Sequence, residues 1–280
     1  MHSAHWDAVS AHICARCWSD DHAITSASMN IIQRYLVRRT LRKHGIAFNQ
    51  WHRITSQLPL VCALSSRQKA RLRLLCTLLL KKKVFTGAHD FVVNDEMRIC
   101  IAAQACVAIL NIGLNAFDGW LEIIIYPNAF IVSRDVVDEI GLVHHERRGL
   151  SGESWGRGPV ILSWQDVQHD SYTLRPGHNI VIHEFAHKLD MGSGRANGQP
   201  PLPANMPASE WNQALTDAYN KLSERIEHHQ HSYINAYAVT NAAEFFAVCC
   251  EYFFTAPQIL QKHCPQVFQQ LTTYFKQHPL

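Results

Sequence analysis

Apolar residues recur along most of this chain at helical spacing, and the elements they predict differ sharply in how many of their faces are apolar. From Met29 to about Trp51, Ile32, Tyr35, Leu36 and Leu41 stand among Arg34, Arg38, Arg39, Arg42 and Lys43. That is the pattern of an amphipathic helix with a solvated basic face. A second helix starts at Ser65 or Ser66 as N-cap and runs through Arg67 to Lys83. Its core face is Leu72, Leu75 and Leu79, and its three closing lysines suit the negative end of a helix dipole. Met97 to Leu114 is the most apolar stretch, interrupted by Arg98, Gln104 and Asn111. Its uncharged part, Ile99 to Leu114, falls short of the roughly 20 residues that a bilayer span needs. It therefore reads as a buried central helix, and no transmembrane segment is predicted.

Strand signals are fewer. Trp120–Tyr126 is short and β-branched, bounded by Gly119 and Pro127, and Pro159–Trp164 reads as a second strand. Between them, Val132 to Gly152 reads as a polar connector with a charged tip at Glu146, Arg147 and Arg148. Gly192 to Pro207, rich in Gly, Pro, Asn and Ser, predicts a loop long enough to border a cleft. Ala208 to His231 predicts a long amphipathic helix with Trp211, Leu215, Tyr219, Leu222 and Ile226 on one side. The class expected is α+β, mostly helical, with a small sheet. Residues 1–28 carry no periodic apolar face and are expected to be a disordered extension. A helical part at 29–115 and a second part at 116–280 are expected to pack as one unit.

Composition narrows the function. Net charge is +3 with 18% charged residues, which suggests no direct contact with nucleic acid. Nine scattered cysteines suit reduced thiols and a cytoplasmic protein better than a disulfide framework. Cys14 and Cys17, near His12 and His22, lack the second pair that a finger-type metal site requires.

The chemistry concentrates in Val181–Asp190, which contains His183-Glu184-Phe185-Ala186-His187. With 18 histidines in the chain, this pattern needs support from its surroundings. Asn179 suits an N-cap, apolar residues follow it, and Gly192 and Gly194 stop the helix. Residues four apart on a helix share a face, so His183 and His187 can present imidazoles to one Zn²⁺, with Glu184 beside them as general base. The alternative is a pair of core histidines satisfied by backbone carbonyls.

A catalytic zinc needs a third protein ligand and an open position. Glu244 is the best donor, on an otherwise apolar helix from Asn241 to Phe254. It competes with a capping reading, in which Asn241 is the N-cap and Glu244 its N3 partner. Glu251, on the same face as Glu244, is a candidate to support a ligand histidine, and so is Asp190. Asp190 is also the reserve third ligand. A closed structural site would need Asp190 or His178 as a fourth.

Several segments together resemble the Mlc titration factor A family of bacterial zinc metallopeptidases, distantly similar to the zinc domain of anthrax lethal factor. They are Glu122–Pro127, Gly141–His144, Ser154-Trp155, Gly158–Trp164, the His183 helix, Ala242–Val248 and Glu251–Phe254. The resemblance runs from about Leu58 to the C-terminus, while the first 50 or so residues match nothing in the pattern, and Asn241-Ala242 stands where Asp or Asn followed by Pro is expected. It implies a zincin-like fold and one zinc per chain on His183, His187 and Glu244, with Glu184 as base. Tyr237 would stand near the metal as an oxyanion donor. It also implies an aminopeptidase-like peptide substrate and, as a separate function, binding of the glucose repressor Mlc. Peptidases of this class pair an extended substrate with an edge strand. Val160, Ile161 and Leu162 are candidates for that role unless their strand is fully buried.

Overall fold

The computed structural model describes residues 31–128, 130–137, 143–150, 152–154 and 158–280. The expectations for residues 1–28 and for the Cys14/Cys17 pair lie outside them. Four helices open the described chain: α1 (Ile31–His44), α2 (Phe48–Thr55), α3 (Pro59–Cys62) and α4 (Ser66–Lys82). Then come β1 (Val84–Gly87), α5 (Asp95–Ala108), β2 (Glu122–Tyr126), β3 (Phe130–Val137), β4 (Val143–Leu150), β5 (Gly152–Ser154) and β6 (Val160–Ser163). Helices α6 (Trp164–Tyr172), α7 (Ile180–Asp190), α8 (Ala208–Glu227), α9 (Ala242–Thr255), α10 (Pro257–His263) and α11 (Pro265–Phe275) complete the chain.

Local chemistry explains where the helices begin. Ser65 accepts the Gln68 N–H while the Gln68 side chain accepts the Ser65 N–H, a complete capping box at α4. Asn94 accepts from Met97 at α5, where Asp95 and Glu96 also suit the positive end of the helix dipole. Leu72, Leu75 and Leu79 face the core as expected. On α1 the basic face is exposed, and Tyr35 and Leu36 are exposed with it.

Helix α5 is the centre of the molecule, with every residue from Ile99 to Ala108 buried. It packs between α4 and α7, so one continuous core joins the N-terminal helices to the later half of the chain. Among the described residues no helix is long and apolar enough to cross a membrane.

The main sheet has the order β1-β2-β6-β5. The first three strands are parallel, with Ile123 opposite Val160 and Ile125 opposite Leu162, while β5 runs antiparallel to β6. Two expectations are corrected here. The connector expected at Val132–Gly152 contains a two-stranded antiparallel ribbon, Phe130 opposite Leu150 through Val137 opposite Val143. Its charged residues hid the β-branched Ile131, Val132, Val136 and Val137. Strand β6 lies inside the sheet, paired along Val160–Leu162 with β2 on one side and β5 on the other. Its backbone is therefore not free to pair with a substrate, and Val160 and Leu162 are fully buried.

Candidate metal centre

Helix α7 is buried from Val181 to Asp190. Its start is held twice: the Asn179 side chain accepts the Ile182 N–H at 2.9 Å, and Asp170 accepts the Ile180 N–H at 3.0 Å. This fixes which residues point inward. His183 and His187 then lie one turn apart, with ring centroids 4.8 Å apart at an interplanar angle of 82°.

Helix α9 packs against α7 and brings Glu244 to the same place. Glu244 Oε2 stands 3.0 Å from His183 Nε2 and 3.5 Å from His187 Nε2, and the two Nε2 atoms are 3.2 Å apart. Asn241 caps α9 by accepting the Glu244 N–H at 3.0 Å. The Glu244 carboxylate does not turn back to complete a capping box; it faces the histidines. Capping and a place in the cluster are thus compatible, because they use the backbone and the side chain of one residue.

The nitrogens are polarised by their other contacts. His183 Nδ1 donates to Glu251 Oε1 at 2.8 Å, since a carboxylate only accepts. That leaves Nε2 with its lone pair aimed at the cluster. Burial lowers the proton affinity of His183, but Glu251, Glu244 and Glu184 outweigh it and hold the imidazole well above its ordinary pKa. Burial likewise opposes the Glu244 charge, yet the two histidines hold its carboxyl well below the usual range. The surroundings favour a positive charge at this point. Glu244 Oε2 is buried without an aligned hydrogen bond. Two imidazole nitrogens and a carboxylate oxygen, all within 4.8 Å of one another, form a donor set that fits a divalent cation such as zinc.

Glu184 points away from solvent beside them. Its Oε2 has no hydrogen-bond partner, and burial pushes its carboxyl up to about 8, with His183 opposing and Glu244 adding. Tyr237 sits on a 3₁₀ turn (Ala236–Thr240) that packs on α9; its ring is 6.1 Å from that of His183 and 42% exposed. Glu251 is where a supporting residue is expected. Asp190 is not one of the three donors: its Oδ2 accepts the Gly198 N–H at 2.7 Å and so ties down the loop after α7, while burial pushes its carboxyl up to about 6 against the opposing pull of Gly198 and His187. His178 is exposed and takes part in a backbone bridge with Arg175. Among the described residues, only His183, His187 and Glu244 form a group able to hold a metal.

Two residues of this region escape sequence reasoning. Lys188 is buried and donates to the Gly158 carbonyl at 2.8 Å, joining α7 to the chain just before β6. Gln104, noted only as an interruption, reaches the Asn179 side chain. The available signal was the same for both, a polar residue within an apolar helix.

A small, mostly parallel sheet beside a helix bearing His-Glu-x-x-His, with a glutamate from a second helix facing it, is the arrangement of a zincin-like fold. Residues 32–276 match the family described as glucose-regulated metallo-peptidase M90, and the chain belongs to that family. Similar proteins include those named Mlc titration factor A from Yersinia pestis (strain Pestoides F) and from Yersinia pseudotuberculosis serotype O:1b (strain IP 31758). Each is 38% identical over 234 residues, covering 82% of this chain and 85% of the relative. The family match begins at residue 32, so the likeness extends through α1 and not only from Leu58 onward.

Proposed function

We propose that this protein is a zinc-dependent peptidase in which His183, His187 and Glu244 hold one Zn²⁺ and Glu184 is the general base. The observation that carries this reading is the convergence of three donor atoms on one point, with Nδ1 of His183 already committed to Glu251. Zinc bound there would polarise the scissile carbonyl and acidify a water. Glu184 takes the proton of the attacking water and passes it to the leaving amine. Tyr237 donates its phenol O–H to the oxyanion that develops on the carbonyl. The substrate is an extended peptide, and strand β5, antiparallel and at the end of the sheet order, takes the pairing role first expected of β6. The family likeness supports an aminopeptidase-like preference for short peptides and a cytoplasmic location. It also supports treating residues 29–115 and 116–280 as one working unit, since α5 packs on α7.

The relatives' name favours a second function, binding of the repressor Mlc. The alternative of a non-catalytic regulator with a closed structural zinc is disfavoured, because neither Asp190 nor His178 stands where a fourth ligand is needed. A Glu184→Gln variant separates these functions. We expect it to retain zinc and repressor binding and to lose at least about a hundredfold in peptidase rate. Wild-type hydrolysis by this variant would remove Glu184 from the mechanism. Loss of repressor binding would tie that function to the catalytic base.

A further inference from the structure

We propose that Gln104, on the central helix α5, is a positioning residue for the metal centre. It acts through Asn179 and Glu251 to fix the place of His183. This rests on the metal reading above and extends it to a residue outside the ligand helices.

Gln104 is 1% exposed, a primary amide inside a helix buried from Ile99 to Ala108. A buried amide is costly unless its groups are paired, and here both ends of it are. Its Nε2 donates to Ser171 Oγ at 2.8 Å and to the Cys100 carbonyl at 3.3 Å, and its Oε1 accepts from Asn179 Nδ2 at 2.7 Å.

From Ser171 to the Asn179 side chain, the direction of each bond follows from the one before it; beyond Asn179, position is what is passed on. The Ser171 hydroxyl donates to the Val167 carbonyl, so its oxygen accepts from Gln104. That contact orients the Gln104 amide, leaving its oxygen toward Asn179. The Asn179 amide is then held with Nδ2 toward Gln104 and Oδ1 toward the Ile182 N–H, which starts α7. The backbone N–H of the same Asn179 donates to Glu251 Oε2 at 2.6 Å, and Glu251 Oε1 accepts from His183 Nδ1 at 2.8 Å. One connected path thus runs from α6 through α5, Asn179 and α9 to a metal-facing imidazole. Reversing the Asn179 amide would place two donors against the Ile182 N–H and two acceptors against each other at Gln104. Gln104 therefore holds the Asn179 side chain in its capping position, and with it the residue whose backbone N–H meets Glu251.

The test is equilibrium zinc affinity, measured by competition with a chromophoric chelator, together with the proton NMR signal of the His183 Nδ1–H. Gln104→Met keeps the volume and removes the acceptor. We expect a folded protein whose zinc affinity falls about tenfold and whose Nδ1–H signal moves or broadens. Val107→Ala, an apolar core change on the same helix, is expected to lower stability and leave zinc affinity unchanged. Should Gln104→Met not fold, Ser171→Ala frees the Gln104 amide to turn and is expected to lower affinity about threefold. Wild-type zinc affinity in whichever of these variants folds overturns the proposal. An affinity loss of the same size in Val107→Ala overturns it as well, by assigning the effect to general destabilisation. A wild-type protein that binds no zinc overturns the metal reading itself, a result distinct from either of these.

Discussion

A histidine whose Nδ1 is tied to a buried carboxylate has one lone pair left to offer, and at His183 that pair faces His187 and Glu244. Removing the anionic member by Glu244→Ala leaves two neutral donors. We expect zinc affinity to fall at least about a hundredfold and hydrolysis to vanish. Metal content by atomic absorption checks this, and stoichiometric zinc in the variant would place the third ligand elsewhere. Glu184 gives a second expectation. Its folded pKa, about 8, lies above the ordinary glutamate value of 4.5, so the metal-free folded state binds its proton more tightly than the unfolded chain does. The contribution of that group to stability is complete below about pH 4.5 and is lost as pH rises towards 8. Glu184→Gln removes the effect. In chelator-treated protein the variant should gain on the wild type by a few kcal/mol between pH 5 and pH 8. Parallel melting curves across that range would contradict a buried, unpaired carboxylate. His183, Glu184 and His187 were legible in the sequence because a helix turns a spacing into a face. Glu251 was legible as a candidate for the same reason. That Asp190 is not among the donors was not, since its Oδ2 is taken by Gly198, a loop residue whose approach no periodicity encodes.

At the scale of elements, the loop after α7 is hydrogen-bonded to α7 and α8 and lies against the start of α9. Gly198 donates to Asp190, accepts from Trp211 Nε1 at 2.9 Å, and adopts φ +79°. A Cβ there would lie 2.6 Å from the Ala242 carbonyl, at the first turn of α9. Gly198→Ala therefore combines a left-handed backbone with a clash against main chain. It is expected to cost about 2–3 kcal/mol and to weaken zinc binding by moving the start of the Glu244 helix. Chemical denaturation together with zinc titration would test both parts, and wild-type values in both would show that the loop yields freely. Helices α4, α5, α7 and α9 could be read from caps and apolar faces. Strand β1 and the β3–β4 ribbon could not: four residues after a lysine run carry too little pattern, and a charged ribbon alternates too weakly.

For the whole molecule, one core underlies the site. Phe246, two residues beyond Glu244, is fully buried and packs against Trp211 of α8, with ring centroids 5.9 Å apart. Phe246→Ala should cost about 3–5 kcal/mol in urea unfolding, the usual range for a cavity of that size. A smaller loss would mean that α8 and α9 close over the gap. The sequence by itself determined the helical class, the helix that carries His183, Glu184 and His187, and Glu244 as a candidate third ligand. These depend on neighbours three or four residues apart, which helical geometry brings together without help from the rest of the chain. Only the tertiary structure decided that Glu244 faces the histidines as well as being capped by Asn241, and that β6 is interior. It alone decided that Gln104 reaches Asn179. Each of these depends on which element lies beside which, and that is set by the shared burial of apolar faces far apart in the chain.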